Sequence, residues 1–351
     1  MCSCFNVFNH IISNYIRKKQ SKNNIAQHNI QIVINSNGNN EIENNEIENN
    51  DTNDNISYET SDFTSFDTDD DISYESNDDK IYNKEEIFNI ENYKHEFLEN
   101  GSCATMLYCI TIDNKKYTCK KFEKKNVDRF LVELDNIKTL KGKRLPDYYN
   151  LKADLSHFYI LYNFVPGEDL YYSFSKNKKK IKKNHKLIAE IIYEIALGLK
   201  ELFLQNYIHL DIKPENIIIS SLNPVKLTII DLAYCQNLSK KNRKTHKGTY
   251  GWTSPEIILY STYYYNTDIW SLGLILYLLL TGKMLFNTND KYEYFDCIAD
   301  FTNLHGVEDL DVKNIPNNAL YLLDNMIQNI HTYRYTIDQV LKSSFLKQVD
   351  K

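Results

Sequence analysis

Asp211, Lys213 and Asn216 fall within six residues of one another, in the segment Tyr207-Ile-His-Leu-Asp-Ile-Lys-Pro-Glu-Asn-Ile217. A carboxylate, a fixed positive charge and an amide oxygen are the parts needed to move a phosphoryl group onto a hydroxyl. The carboxylate orients the hydroxyl and takes its proton, the ammonium offsets charge on the moving group, and the amide oxygen suits a hard cation. Apolar residues on both sides would pin the loop to a core. Asp231, in Thr228-Ile-Ile-Asp-Leu-Ala233, offers a second oxygen ligand.

These side chains must be held by larger elements. Tyr117-Thr-Cys-Lys-Lys-Phe122 and His157-Phe-Tyr-Ile-Leu-Tyr-Asn-Phe-Val165 read as strands. Leu187, Ile191, Ile195, Leu199 and Leu202 recur at about one helical turn and predict a long helix with one apolar face. Leu272 to Leu280 is an apolar run too short to cross a bilayer and reads as a buried helix. Strands followed by helices make an α+β order.

The Tyr207–Ile217 segment resembles the catalytic loop of protein kinases, H-R-D-x-K-P-x-N, with Leu210 in place of the arginine. Further matches follow in the order that family requires, over about residues 91–347. Leu98, Glu99, Asn100, Gly101, Ser102, Cys103, Ala104, Thr105 and Met106 occupy the place of the glycine-rich loop; Gly101 alone remains of three glycines, with Glu99 and Ala104 at the outer positions. The resemblance makes Lys120 the lysine that grips the α- and β-phosphates. Lys121 is the competing assignment, and strand alternation favours Lys120, which shares a face with Thr118. Glu133 matches the helix glutamate that pairs with that lysine; an ordinary exposed glutamate is the other reading. Tyr162 falls at the gatekeeper position, Asn163 and Val165 would offer main-chain groups to adenine, and Asp169 would bond the ribose.

The resemblance further implies that Asp211 is the catalytic base, with Lys213 beside it. Asn216 and Asp231 would hold Mg²⁺ or Mn²⁺ against ATP, and Thr249 would position the substrate. Gly248-Thr-Tyr-Gly-Trp-Thr-Ser-Pro-Glu256 resembles the end of the activation segment. Asp268 would brace the catalytic loop, and Arg334 would pair with Glu256. Lys213 and Thr249 follow the serine/threonine pattern. Two departures bear on control. Leu210 removes the arginine that clamps a phosphorylated loop in many relatives and would pack instead. Ala233 replaces the glycine of D-F-G, where a Cβ would make a left-handed backbone costlier by roughly 1 kcal/mol.

The resemblance implies a two-lobed protein-kinase-like fold, and charge marks off a leader before it. The net charge of −6 is uneven. Residues 41–79 hold 15 acids and no Lys or Arg, whereas residues 1–40 hold four basic residues and no acid. The expected domains are therefore three. Residues 1–22 carry Phe5, Phe8, Ile12 and Ile16 at helical spacing before Arg17, Lys18, Lys19 and Lys22. They read either as an amphipathic segment in peripheral contact with a membrane, with Cys2 and Cys4 as acylation sites, or as an unstructured start. Residues 23–90 read as a disordered acidic leader rich in Asn, Asp, Glu and Ser. By the resemblance, residues 91–348 would form the kinase domain, with an N-lobe to 163 and a C-lobe from 164.

Seven scattered cysteines and no signal peptide point to an intracellular, cytoplasmic setting. The expected function is a serine/threonine protein kinase using ATP and acting on protein substrates. The basic residues from Lys240 to Lys247 suggest acidic ones. The alternative is a pseudokinase scaffold, supported by the reduced glycine loop and Ala233. Nucleic acid is not an expected partner, since the basic runs lack interleaved aromatic residues.

Overall fold

The computed structural model describes residues 33–34, 40–41, 88–101, 105–240, 243, 245, 247–288, 290–301 and 315–349, with the side chains of 99–101 left aside. The segment expected at 1–22, nearly all of the leader, and the loop tip Ser102, Cys103 and Ala104 lie outside these residues. Contacts divide the chain into two units, Met1–Ile87 and Phe88–Lys351. In the first, Val33–Ile34 pairs antiparallel with Asn40–Glu41.

The second unit opens with a five-stranded antiparallel sheet and continues into helices. Its strands are β1 (Lys94–Gly101), β2 (Thr105–Ile112), β3 (Lys115–Glu123), β4 (Tyr148–Ala153) and β5 (His157–Asn163), arranged β1-β2-β3-β5-β4. Strand β3 is thus central. Its register sets Lys120 opposite Leu107 on one side and Ile160 on the other. Phe88 and Ile90 are buried with Ile110, Tyr117, Cys119, Tyr159 and Leu161, so the packed unit starts three residues before the expected boundary at 91.

Helix α1 (Val127–Thr139) buries Phe130, Glu133, Leu134, Asn136 and Ile137 on one face. The Phe130 ring stacks on Phe158 at 4.5 Å and meets Phe122 edge-on at 5.6 Å, which fixes the helix on the sheet. Across that face Glu133 is carried to Lys120.

The helical part follows: α2 (Leu170–Lys182), α3 (His185–Leu204), α4 (Pro255–Tyr260), α5 (Thr267–Thr281), α6 (Lys291–Asp300), α7 (Asn317–Met326) and α8 (Ile337–Leu341). Helix α3 buries all five residues of the expected stripe. Every residue of α5 from Thr267 to Leu280 is buried, as its uninterrupted apolar run requires. The two-residue strand β6 (Glu168–Asp169) precedes α2, and between α3 and α4 lie the short strands β7 (Tyr207–Ile208), β8 (Ile217–Leu222), β9 (Val225–Ile229) and β10 (Gln236–Asn237). The β8–β9 hairpin holds Asn216 at its start and leads straight to Asp231 at its end.

Candidate active site

Two clusters form the site. The first centres on Lys120, whose Nζ lies 2.8 Å from Glu133 Oε1 and 2.8 Å from Asp231 Oδ1. Lys120 is only 3% exposed. Burial opposes its charge, but the two carboxylates outweigh burial and hold its pKa above the ordinary lysine value. Burial likewise pushes Asp231 up, yet the Lys120 ammonium and its hydrogen bond bring it below the usual carboxylate range. Lys121 points the other way, toward the Tyr159 ring at 6.0 Å, so alternation along β3 separates the two candidates. Thr105, Lys120, Phe122, Glu133 and Ala233 line a recess of about 180 Å³ against this cluster.

The second cluster centres on Asp211. Thr249 Oγ1 donates to Asp211 Oδ1 at 2.6 Å, and Lys213 Nζ donates to Thr249 Oγ1 at 2.9 Å. Lys213 Nζ also lies 3.3 Å from Asp211 Oδ2. Asn216 Nδ2 donates to the Asp211 carbonyl and to Asp211 Oδ2, at 2.8 and 3.0 Å. That fixes the amide so that its own oxygen is the atom left for a cation.

Three polar residues lock the loops that carry these groups. Asp268 accepts from the N–H groups of His209 (2.7 Å) and Leu210 (2.9 Å). His209 accepts the Asp211 N–H at Nδ1, 3.3 Å away, and so donates from Nε2 to the Ile230 carbonyl at 3.1 Å. One imidazole therefore ties the catalytic loop to the residue before Asp231. Asn136 plays a similar part from α1, donating to the carbonyls of Leu232 and Cys235 at 2.8 and 3.2 Å. The role of Asp268 follows the resemblance, whereas those of His209 and Asn136 were not read from the sequence. The available signal for Asn136 was a polar residue three positions after Glu133, on the apolar face of α1.

Leu210 packs as expected. It is buried with Ile208, Leu238, Ile257 and Tyr263, and its backbone is left-handed, with φ of 68°. The expectation for Ala233 needs correcting. The left-handed residue of that turn is Asp231, with φ of 61°, while Ala233 sits inside a 3₁₀ turn, where a Cβ costs nothing. Gly248, in contrast, has no room for a Cβ. With φ of +124° it packs so closely that a Cβ would lie 2.5 Å from Thr253 Oγ1 and 3.3 Å from the Leu210 carbonyl. The end of the activation segment thereby rests on the catalytic loop, which brings Thr249 to Asp211.

The remaining expected residues are more dispersed. In the β1–β2 hairpin Gly101 pairs with Thr105, Asn100 with Met106 and Glu99 with Leu107; Leu98 is exposed. At the end of β5 the Asn163 N–H donates to the Asp147 carbonyl at 2.9 Å, so a main-chain contact to a base there falls to its own carbonyl. Val165 follows in the connection to β6 and is half-buried. Asp169 caps α2, accepting from the Tyr172 N–H at 2.8 Å, a structural duty the sequence reading did not assign. Among the described residues, no helix is long and apolar enough to cross a membrane.

The Glu256–Arg334 pair closes the segment from below. Two hydrogen bonds of 2.7 and 3.0 Å join them, both side chains being buried.

Comparison with known proteins agrees with this geometry. The family described as protein kinase domain matches residues 93–346. Calcium-dependent protein kinase 4 of Plasmodium berghei (strain Anka) is 26% identical over 281 residues, covering 76% of this chain and 51% of that protein. Aurora kinase C of Mus musculus is 26% identical over 209 residues, 60% of this chain and 72% of that one. Serine/threonine-protein kinase D2 of Rattus norvegicus is 25% identical over 219 residues, 61% of this chain and 24% of that protein. The chain thus spans about half the length of the Plasmodium kinase it matches.

Proposed function

The chain belongs to the protein kinase domain family, and on that premise we propose that it is a serine/threonine protein kinase, transferring the γ-phosphoryl group of ATP to protein hydroxyls. The observation that carries this reading is the buried Lys120 amine held 2.8 Å from both Glu133 and Asp231. A cation kept charged in an apolar setting is positioned to bind phosphate oxygens. Asp211 takes the role of base, orienting the acceptor hydroxyl and removing its proton. Lys213, bonded to Thr249, holds the acceptor side of the site and offsets charge on the transferred group.

The donor set also suits Mg²⁺ or Mn²⁺. Among the described residues no three His, Cys, Asp or Glu side chains form a closed metal cluster. Asp231 and Asn216 offer two protein oxygens, which fits a hard cation that keeps waters and takes its other ligands from phosphates. The chemistry supplied by a bound cation is neutralisation of phosphate charge. Protein substrates with acidic character agree with the basic stretch from Lys240 to Lys247. Peripheral membrane contact through residues 1–22 rests on their spacing alone; flotation with anionic vesicles, unchanged after removing those residues, would rule it out.

The test of the function is incorporation of label from γ-labelled ATP into a generic protein substrate, followed by phosphoamino-acid analysis. Phosphoserine or phosphothreonine is expected, and Asp211→Asn should abolish it. Equal labelling by both proteins would overturn the reading.

A further inference from the structure

Between Asp169 and Glu190 the chain carries seven lysines and no acid. Five of them, Lys178, Lys179, Lys180, Lys182 and Lys183, fall within six residues at and just past the end of α2. All but the half-buried Lys182 are exposed. The backbone beneath them is well held. Ile181 is 1% exposed, its carbonyl accepts the Asn184 N–H at 2.8 Å, and Asn184 caps α3 by accepting from the Leu187 N–H at 3.0 Å. The Lys178 stem rests against Gly282 at the end of α5, where a Cβ would lie 2.6 Å from Lys178 Cε.

Local physics does not account for this crowding. Lys178 and Lys182, like Lys179 and Lys183, stand four residues apart, where like charges on a helix repel. The end of α2 favours a cation, but Lys183 and Lys186 also border the first turn of α3. That end of a helix favours acids, and its first turn holds none. Nor does the fold provide a counter-charge. Among the described residues no carboxylate pairs with any of the five. Glu168 goes to Lys176 at 3.1 Å, and Glu194 and Glu201 of α3 go to Arg144 at 2.7 and 2.9 Å. Lysines that break local rules without compensation inside the fold mark a place for an anion from outside it.

The surface also discriminates among anions. A helix that lies on a bilayer inserts apolar side chains beside its cations. The apolar residues of this stretch, Phe174 and Ile181, are instead buried, at 3% and 1% exposure. Nucleic acid calls for stacking aromatics or guanidinium forks among the charges, and no Phe, Tyr, Trp or Arg stands between Lys178 and Lys186. An acidic peptide needs neither.

We propose that the lysine end of α2 is a docking surface for an acidic tract of the protein substrate, set apart from the residues around the acceptor hydroxyl. This rests on the kinase reading and names a substrate class for it. Helix α2 starts after Asp169 and packs against the Pro214–Asn216 turn that follows Asp211. Its length is about 20 Å, which an extended chain covers in about six residues. A tract held on the lysines raises the local concentration of an acceptor at Asp211 without touching the reacting groups.

The experiment uses the full chain and two peptides that share one serine segment. One carries a run of glutamates roughly six to ten residues from the serine, in N-terminal and C-terminal versions; the other carries glutamines there. Docking predicts a KM at least about tenfold lower for the glutamate peptide in one version, with kcat unchanged, and a gain that shrinks as salt is raised. Lys179→Glu, Lys180→Glu and Lys183→Glu combined, three exposed changes, should erase the gain and leave kcat and KM for the glutamine peptide as they were. The corresponding arginine variant should keep it. Binding of the same peptides, carrying a fluorophore, is read in parallel by anisotropy. Selective binding with no transfer to either peptide counts against the kinase reading alone. Equal KM and equal binding of the two peptides, a preference that survives the triple reversal, or a triple variant that loses transfer to both peptides alike overturns the docking surface. So does flotation with phosphatidylserine vesicles that the triple reversal abolishes while the two peptides bind alike, which would make the surface a membrane contact.

Discussion

Leu210 bears two burdens, a left-handed backbone and a buried place beside Asp211. For a residue with a Cβ that conformation costs roughly 1–2 kcal/mol. The Asp268 carboxylate offsets it by accepting from two successive N–H groups, and the apolar cluster around the side chain adds burial. An apolar contact thus joins the catalytic loop to Leu238 of the activation segment and Ile257 of α4, where many relatives use an arginine and a phosphate. Leu210→Arg would bury a cation among apolar side chains, with the Asp268 carboxylate already engaged by two N–H groups, at a penalty of several kcal/mol. The expected drop in thermal midpoint is about 5 °C or more, and an unchanged midpoint would contradict this packing. The sequence displayed the missing arginine and the apolar replacement. It did not display the positive φ, because leucine has no preference for it. The same gap explains Ala233: strain was expected at the position without glycine, but the turn places it on Asp231.

Elements were legible where a period was clean. Helix α3 follows its stripe, α5 follows its uninterrupted apolar run, and alternation along β3 separated Lys120 from Lys121. The couplings between elements were not legible, because they depend on single polar atoms meeting main-chain carbonyls far along the chain. Asn136 is the clearest case, joining α1 to the turn after Asp231 across 96 residues. Without it, two carbonyls lose their donor, a loss of roughly 1–3 kcal/mol. Asn136→Leu should therefore weaken the hold of α1 on Asp231. The expected signature is a lower kcat for phosphate transfer with a thermal midpoint that falls by only a few degrees. Full kcat in that variant would show that α1 is placed by Phe130 and the sheet alone.

Across the whole packed unit, the Glu256–Arg334 pair links residues 78 positions apart. Burial would raise the Glu256 pKa, but the Arg334 guanidinium and hydrogen bonds from Arg334 and Thr267 hold it below the ordinary value of 4.5. A depressed folded pKa means the contribution is present above about pH 4.5 and is lost as pH falls through the lower folded value. Glu256→Gln leaves a buried guanidinium with a weaker partner, at a cost of roughly 3–5 kcal/mol. Unfolding followed from pH 7 to pH 3 should show that cost at neutral pH and its disappearance in acid; a constant difference would refute the assignment. The central claim for the molecule is that Lys120 binds phosphate while Asp211 performs the transfer. Its most direct test is one measurement on three proteins: the rate of γ-phosphate transfer, with Mg·ATP affinity read alongside, for the unaltered chain, Lys120→Met and Asp211→Asn. Asp211→Asn should lose roughly 10²–10⁴ in kcat with ATP affinity retained, and Lys120→Met should lose both. Transfer at an undiminished rate by either variant would contradict it.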